Sequence, residues 1–129
     1  EQLRETVSNV KSNILKDWGY SLMIEGLSTM CEGLDSVPYI AKNLFKQGSI
    51  ENALSLYEEL VEKSRAEKGC LSYELFQDIE NPCILTMLET WESKEYLKAH
   101  SESEHFKRIV PQLGKMREQH EINVYAKIL

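Results

Sequence analysis

The chain has 129 residues, with 15 Lys and Arg against 21 Asp and Glu, and 42% of its residues are apolar. This length corresponds to one domain of typical size. The net charge of −6 disfavours binding to nucleic acid or to anionic membrane surfaces, because a negative protein surface repels both. No apolar run approaches the roughly 20 residues of a membrane-spanning helix. Cys31, Cys70 and Cys83 lack a CxxC spacing, so we expect reduced thiols in a cytoplasmic protein.

The first 36 residues have the periodicity of helices and none of the alternation of strands. Apolar residues recur at three- or four-residue steps from Leu3 to Trp18, and again from Tyr20 to Leu34. Two short amphipathic helices cannot bury a core alone, because most of their stability comes from packing against another surface. We therefore predict an N-terminal helical extension over residues 1–36, docked on the rest of the chain or on a second subunit.

The next segment of the chain changes from the strand period to the helix period. Residues 38–46 are predicted to form a strand. One side of this strand consists of Tyr39, Ala41, Asn43 and Phe45. A turn and an N-cap at residues 48–49 precede a long helix that begins at Ile50 and ends near Gly69.

Two further strands are predicted over residues 70–78 and 84–91. They form an antiparallel pair, because the turn residues Asn81 and Pro82 separate them. In the first of the two, Leu71, Tyr73 and Leu75 lie opposite Cys70, Ser72, Glu74 and Phe76. The second strand is apolar on both of its sides.

The last part of the chain predicts two helices and a strand. Ser93 caps a short helix that ends at His100, and the Ser101-x-x-Glu104 spacing is that of a capping box for the next helix. Pro111 lacks an amide hydrogen and crowds the preceding turn, so it is predicted to break or kink that helix. One side of the last strand consists of Ile122, Val124, Ala126 and Ile128.

The order of elements after the helical extension is βαββαβ. This order is typical of the ferredoxin-like α+β arrangement, in which a four-stranded antiparallel sheet has both of its helices on one face. The other face stays uncovered, and the strand over residues 84–91 is apolar on that side as well. We therefore expect the bare face to pack on a second copy of the chain in a symmetric dimer.

The candidates for catalysis or ligand binding are residues on strand sides that are otherwise apolar. A buried amide at Asn43 must find partners in the backbone or bind a ligand, because an unpaired one costs about 1–3 kcal/mol. Burial of Glu89 would raise its pKa unless a cation pairs with it, and an ion pair across the dimer is the preferred interpretation. Trp91 is either a core aromatic or the wall of a cavity for a planar ligand.

His100 is either an exposed helix cap or, if it points inward, a proton acceptor at neutral pH. On one helix His100 and His105 would be turned about 140° apart. No HxxxH or HExxH motif is present in the sequence, so we predict no metal site. Cys70 and Cys83 are interpreted as core residues rather than as nucleophiles.

Four segments resemble the antibiotic biosynthesis monooxygenase family. They are Glu67 to Asp78 with a G-C-x-x-Y motif, the Asn81-Pro82 turn, Leu88 to Ser93 with E-x-W-x-S, and Ala99 to Lys107 with H-x-x-x-x-H-F-K. The resemblance covers residues 37–129. It implies a dimeric ferredoxin-like α+β barrel, with a pocket between the sheet and the helices of each subunit.

The family that the chain resembles includes cofactor-free monooxygenases of phenols, anthrones and quinols, heme-degrading enzymes, and a subgroup that processes a small signalling sugar derivative. The heme-degrading branch uses a strand-one Asn with a Trp and a His. Asn43 matches that Asn, but His100 and Val110 stand where the Trp and the His are expected, which disfavours heme. The resemblance thus favours cofactor-independent oxygenation of a small aromatic substrate with O₂.

In that chemistry a base deprotonates the substrate, and the resulting anion reduces O₂ inside a dry cavity. The protein supplies positioning, a hydrogen bond to the anionic oxygen and a proton acceptor. We predict Asn43 as the hydrogen-bond donor and His100 as the base or proton relay. The predicted pocket walls are Trp91, Tyr73 and Phe106. The alternative is a non-catalytic ligand-binding or stress-response dimer whose helical extension docks a partner.

Overall fold

The structure is a computed structural model that describes residues 36–129. The helical extension predicted for residues 1–36 lies outside the described residues, apart from Ser36. In chain order the described elements are β1 (Val37–Phe45), α1 (Ile50–Arg65), β2 (Cys70–Gln77), β3 (Ile84–Trp91), α2 (Lys94–Ser101), α3 (Glu104–Met116) and β4 (Arg117–Val124). None of the helices within residues 36–129 is long and apolar enough to cross a membrane.

The four strands form one antiparallel sheet in the order β2-β3-β1-β4. The central strand β1 places Asn43 opposite Leu85 of β3 and opposite His120 of β4. Both neighbours of β1 are thus distant in sequence, as the split βαβ topology requires. The predicted ferredoxin-like α+β fold is confirmed.

Burial alternates along β1 and β3 and identifies the face that the helices cover. The buried residues of this covered face are Val37, Tyr39, Ala41, Asn43 and Phe45 of β1, and Leu85, Met87, Glu89 and Trp91 of β3. Helices contribute Ala53, Tyr57, Leu60, Leu97, Ile109 and Leu113 to the same core. The predicted side of Asn43 is therefore the side that faces the helices.

The opposite side of the sheet, the open face, has no described element packed on it. Except for the exposed Lys42, its positions in β1 and β3 are half-buried. The apolar ones are Ile40, Leu44, Ile84 and Leu88.

The alternation predicted for β2 fails at its first residues. The register shifts between Cys70 and Ser72, so Leu71 is an extra residue that has no partner in β3. Such a bulge reverses the alternation that precedes it. Leu71 is therefore 58% exposed, although it was predicted to share a side with Tyr73. Cys70 pairs instead with Trp91.

Of the two predictions about helix N-termini, one is confirmed and one is wrong. The side chain of Ser93 caps α2 as predicted, by accepting a hydrogen bond from the amide of Tyr96. The cap of α3 is Ser103, so the predicted capping box that begins at Ser101 is wrong. Ser101 belongs to the last turn of α2, where its hydroxyl donates to the carbonyl of Lys98 at 2.6 Å.

The last helix and strand also differ from their predictions. Helix α3 continues through Pro111 to Met116, so the predicted break is wrong. Strand β4 starts at the next residue, Arg117, and ends at Val124. Ile128, predicted as part of the strand, lies beyond its end and is 86% exposed. The early start of β4 pairs Arg117 with Phe45, at the end of β1.

The turns around α1 both use glycine with a positive φ. Gly48 has a φ of +89° and lies in the turn before the helix, as predicted. Ser49 occupies the N-cap position without a side-chain capping bond. The helix ends at Arg65, and Gly69, at a φ of +87°, belongs to the turn into β2. The segment 67–69 that was predicted to close α1 thus begins directly after the C-cap residue, Ala66.

Candidate active site

A cavity lies between the covered face of the sheet and the helices α1, α2 and α3. Among the side chains that line it, Asn43, Glu89, His100 and Arg117 carry amide, carboxyl, imidazole and guanidinium groups. The cavity measures about 30 Å³. One water molecule needs about 10–15 Å³ of this volume, so the cavity has room for two or three waters.

His100 comes from the end of α2 and points into this cavity. Only 2% of the residue is exposed, so the exposed-cap interpretation is wrong. Its ring lies edge-on to Tyr73 and Phe106, at centroid distances of 5.2 and 5.1 Å. Trp91 lies 4.6 Å from the same ring at a tilt of 31°. The three predicted wall residues therefore surround the imidazole.

Trp91 differs from the other two predicted wall residues. Tyr73 and Phe106 line the cavity, whereas Trp91 is fully buried behind His100 and is not part of the lining. Its indole Nε1 donates a hydrogen bond to Glu89 Oε1 at 2.8 Å. The structure thus favours the alternative in which Trp91 is a core aromatic, and adds that it holds a cavity carboxyl in place.

Glu67, in the turn between α1 and β2, was missed by sequence reasoning and is in direct contact with His100. Its Oε2 lies 2.6 Å from His100 Nδ1 and 2.7 Å from His105 Nε2. The same turn contains Gly69, where a Cβ would lie only 2.1 Å from Cγ of Tyr96 in α2. Glycine therefore lets this turn approach α2 closely enough for Glu67 to reach the imidazole.

The Glu67 carboxyl is ionised. Burial would raise its pKa, but the hydrogen bonds and charge interactions of His100 and His105 outweigh burial and lower the pKa below its usual value. A carboxylate only accepts hydrogen bonds, so His100 Nδ1 carries a proton and donates it. In the neutral imidazole the lone pair is then on Nε2, which is buried and has no hydrogen-bond partner within residues 36–129.

His105 lies close to His100, contrary to the expectation from a single helix. A bend separates α2 from α3, and the two ring centroids are 6.2 Å apart. With Glu67 they offer three ligand atoms within 4.8 Å of one another. However, both nitrogens lie at hydrogen-bond distance from the same oxygen of Glu67. Two atoms that each bind one zinc ion at about 2.0–2.2 Å are roughly 3 Å or more apart, so these contacts are too short for a shared ion. The prediction of no metal site stays a prediction.

Asn43 lies at the other end of the cavity from Glu89. It is four strand positions away in the pairing register, or about 13 Å along the strands. Its Nδ2 has three long contacts, to Ala41 O at 3.2 Å, Tyr57 Oη at 3.3 Å and Leu85 O at 3.4 Å. The amide is thus satisfied within the protein, as in the structural interpretation, while it still lines the cavity.

Arg117 is a second residue that sequence reasoning missed. Its Nη1 donates to Asn43 Oδ1 at 3.2 Å, and its Nε is buried without a hydrogen-bond partner in the described part of the chain. The guanidinium therefore makes the Asn43 end of the cavity electropositive. Because β4 was predicted to contain only later residues, this cation was not expected here.

Glu89 is buried on the covered face, with 6% of the residue exposed. Burial raises its pKa to about 7, and the neighbouring His100 and the Trp91 hydrogen bond offset only part of this rise. No Lys or Arg within residues 36–129 forms an ion pair with it. The carboxyl also points away from the open face, so an ion pair across a dimer on that face has no geometric basis.

Cys70 is unsuited to nucleophilic attack. Burial and the carboxylates of Glu89 and Glu67 raise the pKa of its thiol to about 11. The thiolate is the nucleophilic form, and it is therefore scarce near neutral pH. Cys83 is also a free thiol.

The fold and the cavity define a ferredoxin-like α+β protein with an oriented, buried imidazole between its sheet and its helices. The chain belongs to the antibiotic biosynthesis monooxygenase family, because the profile of that family matches residues 39–112, more than half of its length. The resemblance that the motifs indicated is confirmed.

Individual relatives agree with this assignment. The chain is 38% identical to Putative monooxygenase YcnE of Bacillus subtilis (strain 168) over 60 residues, which are 46% of this chain and 63% of that protein. The match thus spans less than two thirds of that relative. A conserved protein from Methanosarcina mazei Go1 superposes with a TM-score of 0.71 at 38% identity, over 74% of this chain and 95% of that one. A crystal structure titled antibiotic biosynthesis monooxygenase superposes with a TM-score of 0.70 at 34% identity, over 72% and 99%.

Proposed function

We propose that the protein is a cofactor-independent monooxygenase that oxidises a small quinol, phenol or anthrone-like substrate with O₂. The observation that carries this proposal is the buried Nε2 of His100, which has no partner among the described residues 36–129 while Glu67 fixes the proton on Nδ1. An aromatic substrate with an acidic O–H or C–H bond brings the proton that this nitrogen can accept.

The two ends of the cavity differ in charge, which suits a substrate that becomes an anion. His100 removes a proton at one end. The negative charge then spreads through the ring to an oxygen at the other end, where Asn43 donates a hydrogen bond and Arg117 supplies a positive charge. The middle of the cavity, with Ala41 and Met87, is apolar and holds the ring.

The present cavity is too small for an aromatic ring, so substrate entry requires side chains to move. Phe106 is half-buried and lines the cavity beside His100. Its displacement would open space next to the base. O₂ is small enough to enter without this movement. The electron transfer and the new C–O bond then involve substrate and O₂ alone, and the protein needs neither flavin nor heme nor metal for the step.

The functional unit is a homodimer that forms on the open face of the sheet. Four central positions there are apolar and half-buried: Ile40, Leu44, Ile84 and Leu88. An isologous contact covers this surface on both copies at once. The compartment is the cytoplasm, which agrees with the free thiols of Cys70 and Cys83.

Oxygen uptake by the purified protein tests this proposal, with hydroquinone, menadiol and anthrone as probes and no added cofactor. We expect His100→Gln and Asn43→Ala each to lower turnover by about 10²-fold or more, the usual size of a base or oxyanion contribution. His120→Gln on β4 is the matched control and keeps the wild-type rate. Wild-type rates in both site variants would contradict the assignment.

The same assay separates the alternatives. Tight binding of a probe without oxygen uptake by the wild type would favour a non-catalytic ligand-binding protein. A Soret shift on addition of hemin would favour the heme-degrading branch instead.

A further inference from the structure

Glu89 is a titratable group in the cavity wall that the mechanism above leaves without a role. It is buried on the covered face and lines the same cavity as His100. Within residues 36–129, the charged groups that act on it are His100 of α2 and Glu67 of the turn before β2. The thiol of Cys70 is a further titratable neighbour, and Tyr39 and Tyr73 flank Glu89 in the sheet register. The Glu89 carboxyl has no cation paired with it in the described chain, and it lies near the carboxylate of Glu67 in an otherwise apolar wall. These surroundings favour its neutral, protonated form.

The hydrogen bond from Trp91 fixes which oxygen of Glu89 is available. Trp91 Nε1 is a donor only, so Glu89 Oε1 must accept from it at 2.8 Å. In a protonated carboxyl the accepting oxygen is best the carbonyl oxygen, which leaves the hydroxyl on Oε2. The cavity therefore has a base on one helix and an acid on the facing strand.

We propose that Glu89 is the acid that protonates the departing oxygen when the peroxide intermediate breaks down. This role rests on the proposed monooxygenase function. In the intermediate the reacting carbon bears one C–H bond and one O–OH group. His100 Nε2 takes the C–H proton, the C–H electron pair becomes the second bond of the carbonyl, and the O–O bond breaks. The departing oxygen keeps the O–O electron pair and takes the Glu89 proton, so that water leaves.

The proton count closes within the cavity. For a CH₂ substrate such as anthrone, two protons leave carbon and two reach oxygen, one on the peroxide and one on the departing hydroxide. His100 takes the first proton from carbon and passes it to the peroxide anion, and it then takes the second proton from carbon. Glu89 delivers its proton to the departing hydroxide. Glu89 then regains its proton from the imidazolium, and the substrate supplies all four electrons that O₂ accepts.

Glu89→Gln is the decisive variant, because glutamine keeps an oxygen for Trp91 but has no acidic proton. Anthrone serves as the probe, with oxygen uptake, anthraquinone formation and a mass 32 above that of anthrone as readouts. We expect kcat to fall by about 10²-fold with little change in KM, and the hydroperoxide to accumulate. The exposed Glu92 gives the matched control, Glu92→Gln, which keeps the wild-type kcat.

The pH profile distinguishes an acid from a structural residue. Wild-type kcat falls above about pH 7, as Glu89 loses its proton, and Glu89→Gln lacks this decline. A wild-type kcat in Glu89→Gln, or an unchanged decline at high pH, would overturn the proposal. If this variant does not fold, an infrared titration of the wild type tests the proposal instead. A protonated carboxyl band that disappears over the same pH range as kcat would support the proposal, and the absence of a protonated carboxyl at pH 5 would refute it. No oxygen uptake by the wild type would instead overturn the proposed function itself.

Discussion

The covered and open faces of the sheet are made of alternate residues of the same strands, yet they differ in what they bury. The covered face combines apolar residues with Asn43 and Glu89, both almost fully buried. The open face has half-buried apolar residues at its centre, such as Ile40 and Leu88, and exposed charges such as Lys42. Buried polar groups carry a free-energy cost that a surface for association does not need. The comparison therefore supports the two proposals made above, catalysis on the covered face and subunit contact on the open face.

The largest effect that separates the two faces is expected from Glu67→Gln. The glutamine amide can donate to His100 Nδ1, which moves the ring proton to Nε2 and removes the base. We expect turnover to fall by about 10² to 10³-fold with the fold intact, measured as oxygen uptake with anthrone. Glu74→Gln on the exposed side of β2 is the same chemical change on the open face. Equal losses in both variants would break the division between the faces.

The pH dependence of stability gives the next largest effect. The folded protein keeps the Glu89 proton up to about pH 7, whereas the unfolded chain loses it near pH 4.5. The contribution of Glu89 to stability is complete below pH 4.5 and is lost as the pH rises to about 7, by roughly 3 kcal/mol.

Urea unfolding at pH 4.5 and pH 8 measures this loss. The free energy of unfolding of Glu89→Gln should rise relative to the wild type by that amount between the two pH values. Glu92→Gln should keep the wild-type pH dependence. A constant difference between wild type and Glu89→Gln would mean that Glu89 is ionised in the folded protein.

A charge on the open face tests the other half of the comparison. Leu88→Lys places an ammonium group at the centre of this face, between Ile40 and Glu74 in the register. We expect the dissociation constant of the dimer to rise at least tenfold, measured by analytical ultracentrifugation. The far-ultraviolet circular dichroism should stay unchanged, because the side chain does not enter the core. An unchanged dimer would place the subunit contact elsewhere.

Sequence patterns predicted the covered face well, because the period of two decides the side of every residue in a regular strand. Asn43 and Glu89 follow that period and lie in the same rows as the apolar residues with which the pattern grouped them, but the pattern did not decide which face of the sheet those rows occupy. Leu71 does not, because a bulge adds one residue and local sequence gives little sign of it. The prediction at Pro111 failed for a different reason, because proline was interpreted as a helix breaker, whereas α3 continues from Glu104 to Met116 with Pro111 inside it.

The polar network of the site was less predictable than the sheet. Glu67 comes from a turn and meets His100 across 33 residues of sequence, a contact that no local period encodes. One signal was available in the sequence, since Gly69 stands beside it and adopts a φ that other residues rarely take. The spacing argument failed for His105 because it assumed one helix, whereas a bend separates α2 from α3.

The smallest effect is expected from His105→Ala, which removes one of the two donors to Glu67. Glu67 remains ionised and still accepts from His100 Nδ1, so the tautomer and the free Nε2 persist. The loss of one hydrogen bond, about 1 kcal/mol, corresponds to about a fivefold lower turnover. Dialysis against EDTA should leave the rates of wild type and variant unchanged, because the three groups are joined by hydrogen bonds. A loss as large as that of Glu67→Gln, or inactivation by EDTA, would mean that Glu67, His100 and His105 act together on a metal ion, and the covered face would then contain a metal centre rather than an oriented base.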